Sequence, residues 1–408
     1  NTYTRPKETR PFTMIYQAHV IKKPVSVIVP IYNAPQELRE CLDTLLLHTA
    51  LGEGQHQIIL SDDASPDPEV GRVLDDYEGA AGLIILRSAT NRGYTGNINH
   101  GIAKAYEINP TGDVILLNSD TRVTPQWLEL LQRRALQNPT VGTISAMSDN
   151  AGAFSVPVRN SSNPVPPWMS EDDHARMVTH TSRLHNLRVP TTSGFCMYIK
   201  QALFADIGLF DAENFAKGYG EENDFCMRAQ HAGWEHAIAD NVIIYHERSA
   251  SFLGSKTELM DRASDLIPKM YPEYGLAVAQ GFTQSGDINQ TRFDIAHAQL
   301  RHPRLPRPRV AFVIGVDSGG TPQTNMDLMS SIQTDYEPYL IFCTTGFIQI
   351  LKIVGNTQHE LEKIALRHRV MPISHDSDSY RAEIVDILQR YGFELVHIRH
   401  IGRHGLSL

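Results

Sequence analysis

The sequence predicts an α/β fold: a domain with a mostly parallel central sheet, followed by a second, partial α/β domain. Three observations predict it. Short apolar segments rich in Val, Ile and Leu alternate with stretches whose apolar residues recur every three or four positions, the pattern of strands alternating with covering helices. Several of those strands break off into small polar or acidic residues. A proline- and arginine-rich segment at 301–309 then interrupts the alternation, which starts again after it. With 408 residues, the chain exceeds the size at which a single core keeps growing, so two domains are expected.

Residues 1–23 have no clear period and read as a lead-in. Pro24-Val25-Ser26-Val27-Ile28-Val29-Pro30 is the first strand, stopped by Pro30, and Ile31-Tyr32-Asn33 turns the chain. Asn33 suits a helix cap and Pro35 a first turn. Leu38, Cys41, Leu42, Leu45 and Leu46 then form a helical stripe. The second strand, 57–60, ends in Ser61-Asp62-Asp63-Ala64-Ser65, and a helix at about 68–78 returns the chain. A third strand, 83–86, leads to Asn91-Arg92-Gly93-Tyr94-Thr95-Gly96-Asn97. Glycines here let a backbone approach a ligand closely, and the next helix would aim its N-terminus at an anion. No Gly-Lys-Ser/Thr follows, so this is not a Walker A loop.

Val114-Ile115-Leu116-Leu117 lacks polar alternation, as in a strand covered on both faces, and stops at Asn118-Ser119-Asp120. Ligands of open α/β sheets sit at the carboxyl ends of the parallel strands. A carboxylate there can hold a hard divalent cation; taken alone, Asp120 could equally cap a turn. Thr124-Pro125 reads as a helix start, with Trp127, Leu128, Leu130 and Leu131 buried, and 141–145 as a strand. Residues 148–190 are polar and weakly periodic, and are expected to form a long lid or acceptor-side loop. The strand at 191–199 contains Gly194, a position where a ligand or another backbone comes close. A glycine-hinged loop at 215–220 runs into Glu221-Glu222-Asn223-Asp224, an acidic helix start, and Gly233 stops that helix. The strand at 242–246 ends in His246.

Composition excludes some classes. The net charge of −9 argues against bulk attraction to nucleic acid. No apolar run approaches the ~20 residues that cross a bilayer. The four cysteines form no Cys-x-x-Cys pair, which fits reduced thiols in a cytoplasmic protein. The polar N-terminus has no signal-peptide pattern and does not begin with Met, so an internal piece of a longer polypeptide is expected.

Asp62, Asp63, Asp120 and His246 all fall at strand ends, which points to one crevice. A nucleotide diphosphate needs its charge neutralised, and Asp120 with His246 could ligate a manganese or magnesium ion. Asp62 or Asp63 could hold a base or ribose. A displacement at a sugar carbon needs a base for the acceptor hydroxyl. Glu222 is the first choice, with Asp224 its rival.

In order and spacing, residues 24–252 resemble a family-2 glycosyltransferase with the GT-A fold, of the kind that builds bacterial polysaccharides. The pieces are Val-Ile-Val-Pro-Ile-Tyr-Asn ending at Asn33, Ser-Asp-Asp-Ala-Ser at 61–65, Asn-Arg-Gly-Tyr at 91–94, and Asn-Ser-Asp at 118–120. Ser-Gly-Phe-Cys at 193–196, Gly-Glu-Glu-Asn-Asp-Phe-Cys-Met-Arg-Ala at 220–229, and Tyr-His at 245–246 complete them. The resemblance implies donor contacts from Pro30, Tyr32, Asn33, Asp62, Asp63, Asn91, Gly93, Asn97, Asn118 and Ser119. It implies acceptor-side contacts from Gly194, Phe195 and Glu221, metal ligands in Asp120 and His246, and a base in Glu222 or Asp224. Its implied reaction is metal-dependent and inverting, from a UDP- or dTDP-sugar (rhamnose among the candidates) to a lipid-linked or growing glycan at the inner face of the membrane. Two departures matter: Asn118 replaces the first aspartate of Asp-x-Asp, and Glu222 stands where an aspartate is commoner. A sugar nucleotidyltransferase and a non-catalytic nucleotide- or carbohydrate-binding module are the rival readings.

The expected boundaries are 1–23, 24–255, a helical segment and Pro/Arg-rich linker at 256–308, and 309–408. Val310-Ala311-Phe312-Val313-Ile314 opens the last part, and Gly319-Gly320 resembles the start of a family-4-like, GT-B glycosyltransferase. A strand at 339–343 and two further α/β units ending at 393–398 are expected to form its Rossmann-like beginning. About one hundred residues are too few for both domains of such an enzyme, so an incomplete, inactive second module is expected.

Overall fold

The computed structural model describes residues 23–52, 56–247, 256–300, 307–315, 320–344, 346–365 and 378–398. The chain forms two compact units, one spanning Lys22–His302 and one that includes Pro303–Leu408. The lead-in at 1–22, the segment 248–255, the linker at 301–306 and Gly319 lie outside the described residues.

The first unit runs β1 (Val25–Ile31), α1 (Pro35–His48), β2 (Gln57–Asp62), α2 (Pro68–Asp76), β3 (Leu83–Arg87), α3 (Tyr94–Ile108) and β4 (Asp113–Leu117). It continues with β5 (Thr121–Arg122), α4 (Trp127–Gln137), β6 (Val141–Ser148), α5 (Glu171–Thr181), β7 (Asn186–Val189) and β8 (Cys196–Ile199). Then come α6 (Gln201–Ile207), α7 (Glu221–His231), β9 (Glu235–His246), α8 (Lys256–Met270), α9 (Tyr274–Val278) and α10 (Gly286–Leu300). The sheet order is β3-β2-β1-β4-β8-β6-β9-β5, with β7 paired to β9. Its β3-β2-β1-β4 block is wholly parallel, as the strand–helix alternation predicts, and β6 pairs parallel with β9. Parallel register sets Pro30 beside Ser61 and Ile31 beside Asp62. It also sets Ile28 beside Leu116, so Asn118 emerges at the level of Pro30. The polar strand ends therefore share one edge.

Alternation along β1 divides the core. Val25, Val27, Val29 and Ile31 pack with Leu38, Leu42 and Leu45 of α1 on one face. Ile28 joins Ile98 and Ile102 of α3, Leu116, and Phe225 of α7 on the other. Each such side chain, fully buried, contributes about 1.5–3 kcal/mol. A Cβ at Gly101 would lie 2.5 Å from Ile28 Cγ2, so glycine lets α3 lie close against the sheet.

Four local expectations change. Asn33 does not cap α1: the cap position is Ala34, and both residues are left-handed, at φ 60° and 56°. Thr124 does not cap α4 either. Gln126 stands there at φ 63°, while the Thr124 hydroxyl donates to the Ile243 carbonyl. Residues 148–190 are not one long loop, because α5 and β7 form within them. Ser170 caps α5 by accepting from the Asp173 N–H, and its hydroxyl donates to the Asp173 carboxylate. The helices at 256–300, expected beyond the domain, pack into this unit: Ile267 of α8 and Tyr271, just past its end, cluster with Phe215 and Met227.

The second unit contains β10 (Arg309–Ile314), α11 (Gly320–Ser331), β11 (Glu337–Cys343), β12 (Phe347–Val354), β13 (Thr357–Ala365), α12 (Asp378–Arg390) and β14 (Leu395–Ile398). Its sheet order is β13-β12-β11-β10-β14. β10 pairs parallel with β11 and β14, but β11-β12-β13 is an antiparallel meander where further α/β units were expected. The reason is local. Val354 pairs with Thr357 across a two-residue turn at Gly355-Asn356, and Gly355 has φ 58°, the conformation tight hairpins need.

Candidate active site

On the strand-end edge, the two adjacent aspartates have different surroundings. Asp62 is half-buried, and its Oδ1 accepts from the Ser65 N–H and hydroxyl, at 3.2 and 2.6 Å. Asn33 joins the same loop: its N–H donates to Ser65 Oγ, and its side-chain oxygen accepts from the Asp67 N–H. Pro30 is buried and Tyr32 half-buried beside it. Asp63 is buried and accepts the Arg92 N–H at 2.7 Å, and burial raises its pKa. Asn91 donates to the Asp63 carbonyl and accepts from the Gly93 N–H. Asp63 thus holds the 91–93 turn, and Asp62 is the more open of the two.

Two residues expected at the donor turn inward. Asn97 is buried, with its amide oxygen and nitrogen engaged by the Ser61 hydroxyl and carbonyl. Gly93 has φ 76°, and a Cβ there would collide with the Ala216 carbonyl, so a neighbouring backbone is what requires glycine.

Past β4, Asn118, Ser119 and Asp120 are half-buried. β5 pairs antiparallel with β9, placing Thr121 opposite His246, and the Glu247 N–H donates to the Asp120 carbonyl. That register brings Asp120 Oδ1 within 3.2 Å of His246 Nε2. The His246 ring stacks on Phe195, with centroids 5.5 Å apart, and its buried Nδ1 has no hydrogen-bond partner. Among the described residues, no group of three or more His, Cys, Asp or Glu side chains is arranged for a metal. Asp120 and His246 supply two candidate ligands on one spot. They fit a divalent cation whose other positions are filled by ligand oxygens and water.

The helix side is set by Gly220 at φ 104°, where a Cβ would lie 2.7 Å from the Phe215 ring. Glu221 and Glu222 open α7. Glu221 is buried and Glu222 half-buried, and Oε2 of each has no hydrogen-bond partner. Burial, and for Glu221 also the adjacent Glu222 charge, pushes both pKa values up, Glu221 furthest. Asp224 differs. It is buried, accepts from Arg228 Nε at 2.8 Å, and takes the Tyr271 hydroxyl at 2.6 Å. Both its oxygens are engaged, which ties α7 to Tyr271. Gly194 lies where a Cβ would sit 3.2 Å from the Tyr94 hydroxyl, and the Phe195 carbonyl accepts from the Asn118 N–H.

Residues 26–208 match the family model Glycosyl transferase family 2. Over this stretch, less than half of the chain, the sequence is similar to family 2 glycosyltransferases. The stretch runs from β1 through α6 and includes Asp62, Asp63 and Asp120; Glu222 and His246 lie beyond it. Hyaluronan synthase of Pasteurella multocida is 25% identical over 199 residues, covering 48% of this chain and 19% of that protein. Undecaprenyl-phosphate 4-deoxy-4-formamido-L-arabinose transferase of Klebsiella pneumoniae is 32% identical over 124 residues, 30% of this chain and 37% of that one. The chain thus spans well under two thirds of the length of these relatives. Among solved structures, GalNAc-T7 with UDP, GalNAc and Mn2+ is 16% identical with a TM-score of 0.43, covering 84% of this chain and 67% of its own. The mannosyltransferase PcManGT from Pyrobaculum calidifontis, with GDP-Man and Mn2+, is 15% identical with a TM-score of 0.44, covering 81% and 84%. No helix among the described residues is long and apolar enough to cross a membrane.

Sequence reasoning missed three residues around this site. Asp149 accepts the His246 N–H at 2.9 Å and so helps place that ring. It follows the β6 strand as Ser148-Asp149-Asn150, the same strand-end pattern that singled out Asp120. Arg122 pairs with Glu171 and Glu247, at 2.7 and 3.2 Å, tying the 118–122 segment to α5. Tyr271 lies 47 positions from Asp224, and nothing in the local sequence announces it.

Proposed function

We propose that the first unit transfers a sugar, with inversion, from a nucleotide-diphosphate donor to a hydroxyl of a growing bacterial glycan. What carries this reading is the contrast between two neighbouring carboxylates. Asp224 is fully engaged by Arg228 and Tyr271, whereas Glu222 keeps an unpartnered oxygen at a helix start. Glu222 takes the proton of the acceptor hydroxyl. Glu221, raised furthest of the pair by burial and the adjacent Glu222 charge, limits competing charge beside it. Asp62 is the donor-side contact for the ribose or base. Asp120 and His246 would hold a manganese or magnesium ion, which when bound neutralises the departing diphosphate. UDP- and dTDP-sugars are the first donors to try.

For the second unit, the parallel β14-β10-β11 pairing supports a family-4-like beginning, and the meander departs from one. We place every candidate catalytic residue in the first unit.

The test is turnover and donor binding with a panel of nucleotide sugars. Glu222→Gln is expected to lower turnover at least about a hundredfold with little change in donor affinity. Asp224→Asn should act mainly on stability, by about 1–3 kcal/mol, through the lost buried partner. Near-normal turnover in Glu222→Gln beside a folded but inactive Asp224→Asn would move the base to Asp224. Failure of every nucleotide sugar to bind would end the donor reading.

A further inference from the structure

Tyr94 is where the donor-facing and base-facing parts of the site meet. It opens α3 directly after Gly93. The first turn is clamped to the loop ahead of α7, because the Thr95 hydroxyl donates to the Phe215 carbonyl and the Thr95 N–H to the Ala216 carbonyl. Two glycines make room for the ring: a Cβ at Gly218 would lie 3.4 Å from Tyr94 Cδ1, and one at Gly194 would lie 3.2 Å from its hydroxyl. The hydroxyl donates to Asn118 Oδ1 at 3.2 Å. Burial first, then the nearby Glu221, Glu222 and Asp120, push the phenol's pKa well up, so it stays a donor.

The other polar groups of Asn118 show what this bond decides. Its N–H donates to the Phe195 carbonyl at 3.0 Å, and its carbonyl accepts the Thr121 hydroxyl at 2.7 Å. With Oδ1 held by Tyr94, only the side-chain –NH2 remains. Among the described residues, no acceptor takes it. An –NH2 and a carboxylate make opposite demands at this position, since one donates to an anionic oxygen and the other repels it unless a cation intervenes.

Resting on the nucleotide-sugar reading, we propose that Tyr94 is a positioning residue: it holds the Asn118 carboxamide so that its –NH2 donates to an oxygen of the donor's nucleoside diphosphate. Part of the affinity for a nucleoside diphosphate is then independent of a divalent cation.

The experiment is calorimetric titration of the full chain with UDP, GDP and dTDP, in manganese chloride and in EDTA. Tyr94→Phe and Asn118→Ala are each expected to weaken binding about three- to tenfold, the size of one hydrogen bond. The double variant should bind as Asn118→Ala does, within about twofold, because Tyr94 acts through Asn118. Tyr94→Phe keeps the ring, so its melting temperature should stay near that of the parent. Asn118→Asp keeps the acceptor for Tyr94 but removes the –NH2, and it should weaken binding in EDTA. Parental affinity in Tyr94→Phe, or independent additive losses in the double variant, would overturn the proposal. So would parental affinity of Asn118→Asp in EDTA, a reading that does not depend on how any Tyr94 variant folds. If the parent binds none of the three diphosphates, the donor reading falls first and this inference with it.

Discussion

The two units each enclose a glutamate at the edge of a sheet or helix, and they treat it in opposite ways. Glu337 begins β11 in the second unit and is held by Arg309 at 3.0 Å and by Lys352. Burial alone would raise its pKa; the two cations win and hold it at about 2. Glu221 opens α7 in the first unit, with another glutamate as its immediate neighbour and an oxygen that nothing satisfies. Burial and like charge both push its pKa up. The compensated glutamate ties three residues of a sheet together, whereas the uncompensated pair costs stability. Such a cost is what the proposed proton-accepting site would carry before its ligands arrive.

The strongest way to break this comparison is to remove one side of it. Ending the chain before residue 309 should leave donor turnover within about twofold, because the candidate site belongs to the first unit. Ending it before residue 256 should abolish activity, since that removes Tyr271 from Asp224 and Ile267 from the cluster with Phe215 and Met227. Turnover of a nucleotide sugar, with circular dichroism to confirm folding, reads both. Full activity without 256–408 would show that α8–α10 do not support the base helix. Lost activity in a folded chain lacking only 309–408 would place part of the site in the second unit.

The sheet block around the candidate site was legible because β2 and β4 carry unbroken apolar runs, Ile58–Leu60 and Val114–Leu117, that lead into Asp62, Asp63, Asn118 and Asp120. Their parallel order follows from the intervening helical stripes. The turns were less legible. Ala34 and Gln126 sit in left-handed conformations that their side chains do not advertise, so Asn33 and Thr124 attracted the capping role on residue type alone. Asp62 and Asp63 could not be separated, since what distinguishes them is the Arg92 N–H delivered by a turn 29 positions away. Sequence leaves Glu222 and Asp224 as rivals for the same reason: the Tyr271 hydroxyl that engages Asp224 comes from 47 positions away. Two signals were present and passed over. Ser170-Glu171-Asp172-Asp173 is a capping-box pattern that starts α5, and Gly355-Asn356 between alternating apolar residues marks the β12–β13 hairpin.

Substituting the two glutamates sharpens the comparison, because the sign of the effect should reverse between the units. Glu337 has a folded pKa of about 2 against an ordinary value of 4.5. A depressed carboxylate contributes stability that is complete above pH 4.5 and is lost as pH falls through about 2. Glu337→Gln should therefore lower the melting temperature at pH 7, the loss approaching about 3 kcal/mol as an upper bound, and have little effect near pH 2.

The smallest expected effect is that of Glu221→Gln. Its folded pKa is raised, so the native state binds the proton more tightly than the unfolded chain, and stability falls as pH rises from the ordinary glutamate value through the folded one. Replacing the carboxyl with a neutral amide removes that penalty at pH 8 and changes little at pH 4, where both states are largely protonated. The melting temperature of Glu221→Gln should thus rise above the parent's at pH 8 and converge with it on acidification. The amide can still donate to Glu222, so turnover should survive better than in Glu221→Ala, which offers no such donor. A Glu221→Gln variant that is less stable at pH 8 than at pH 4, relative to the parent, would mean that Glu221 has a compensating partner as Glu337 does. The contrast between the two glutamates would then no longer mark the first unit's helix start as the reactive one.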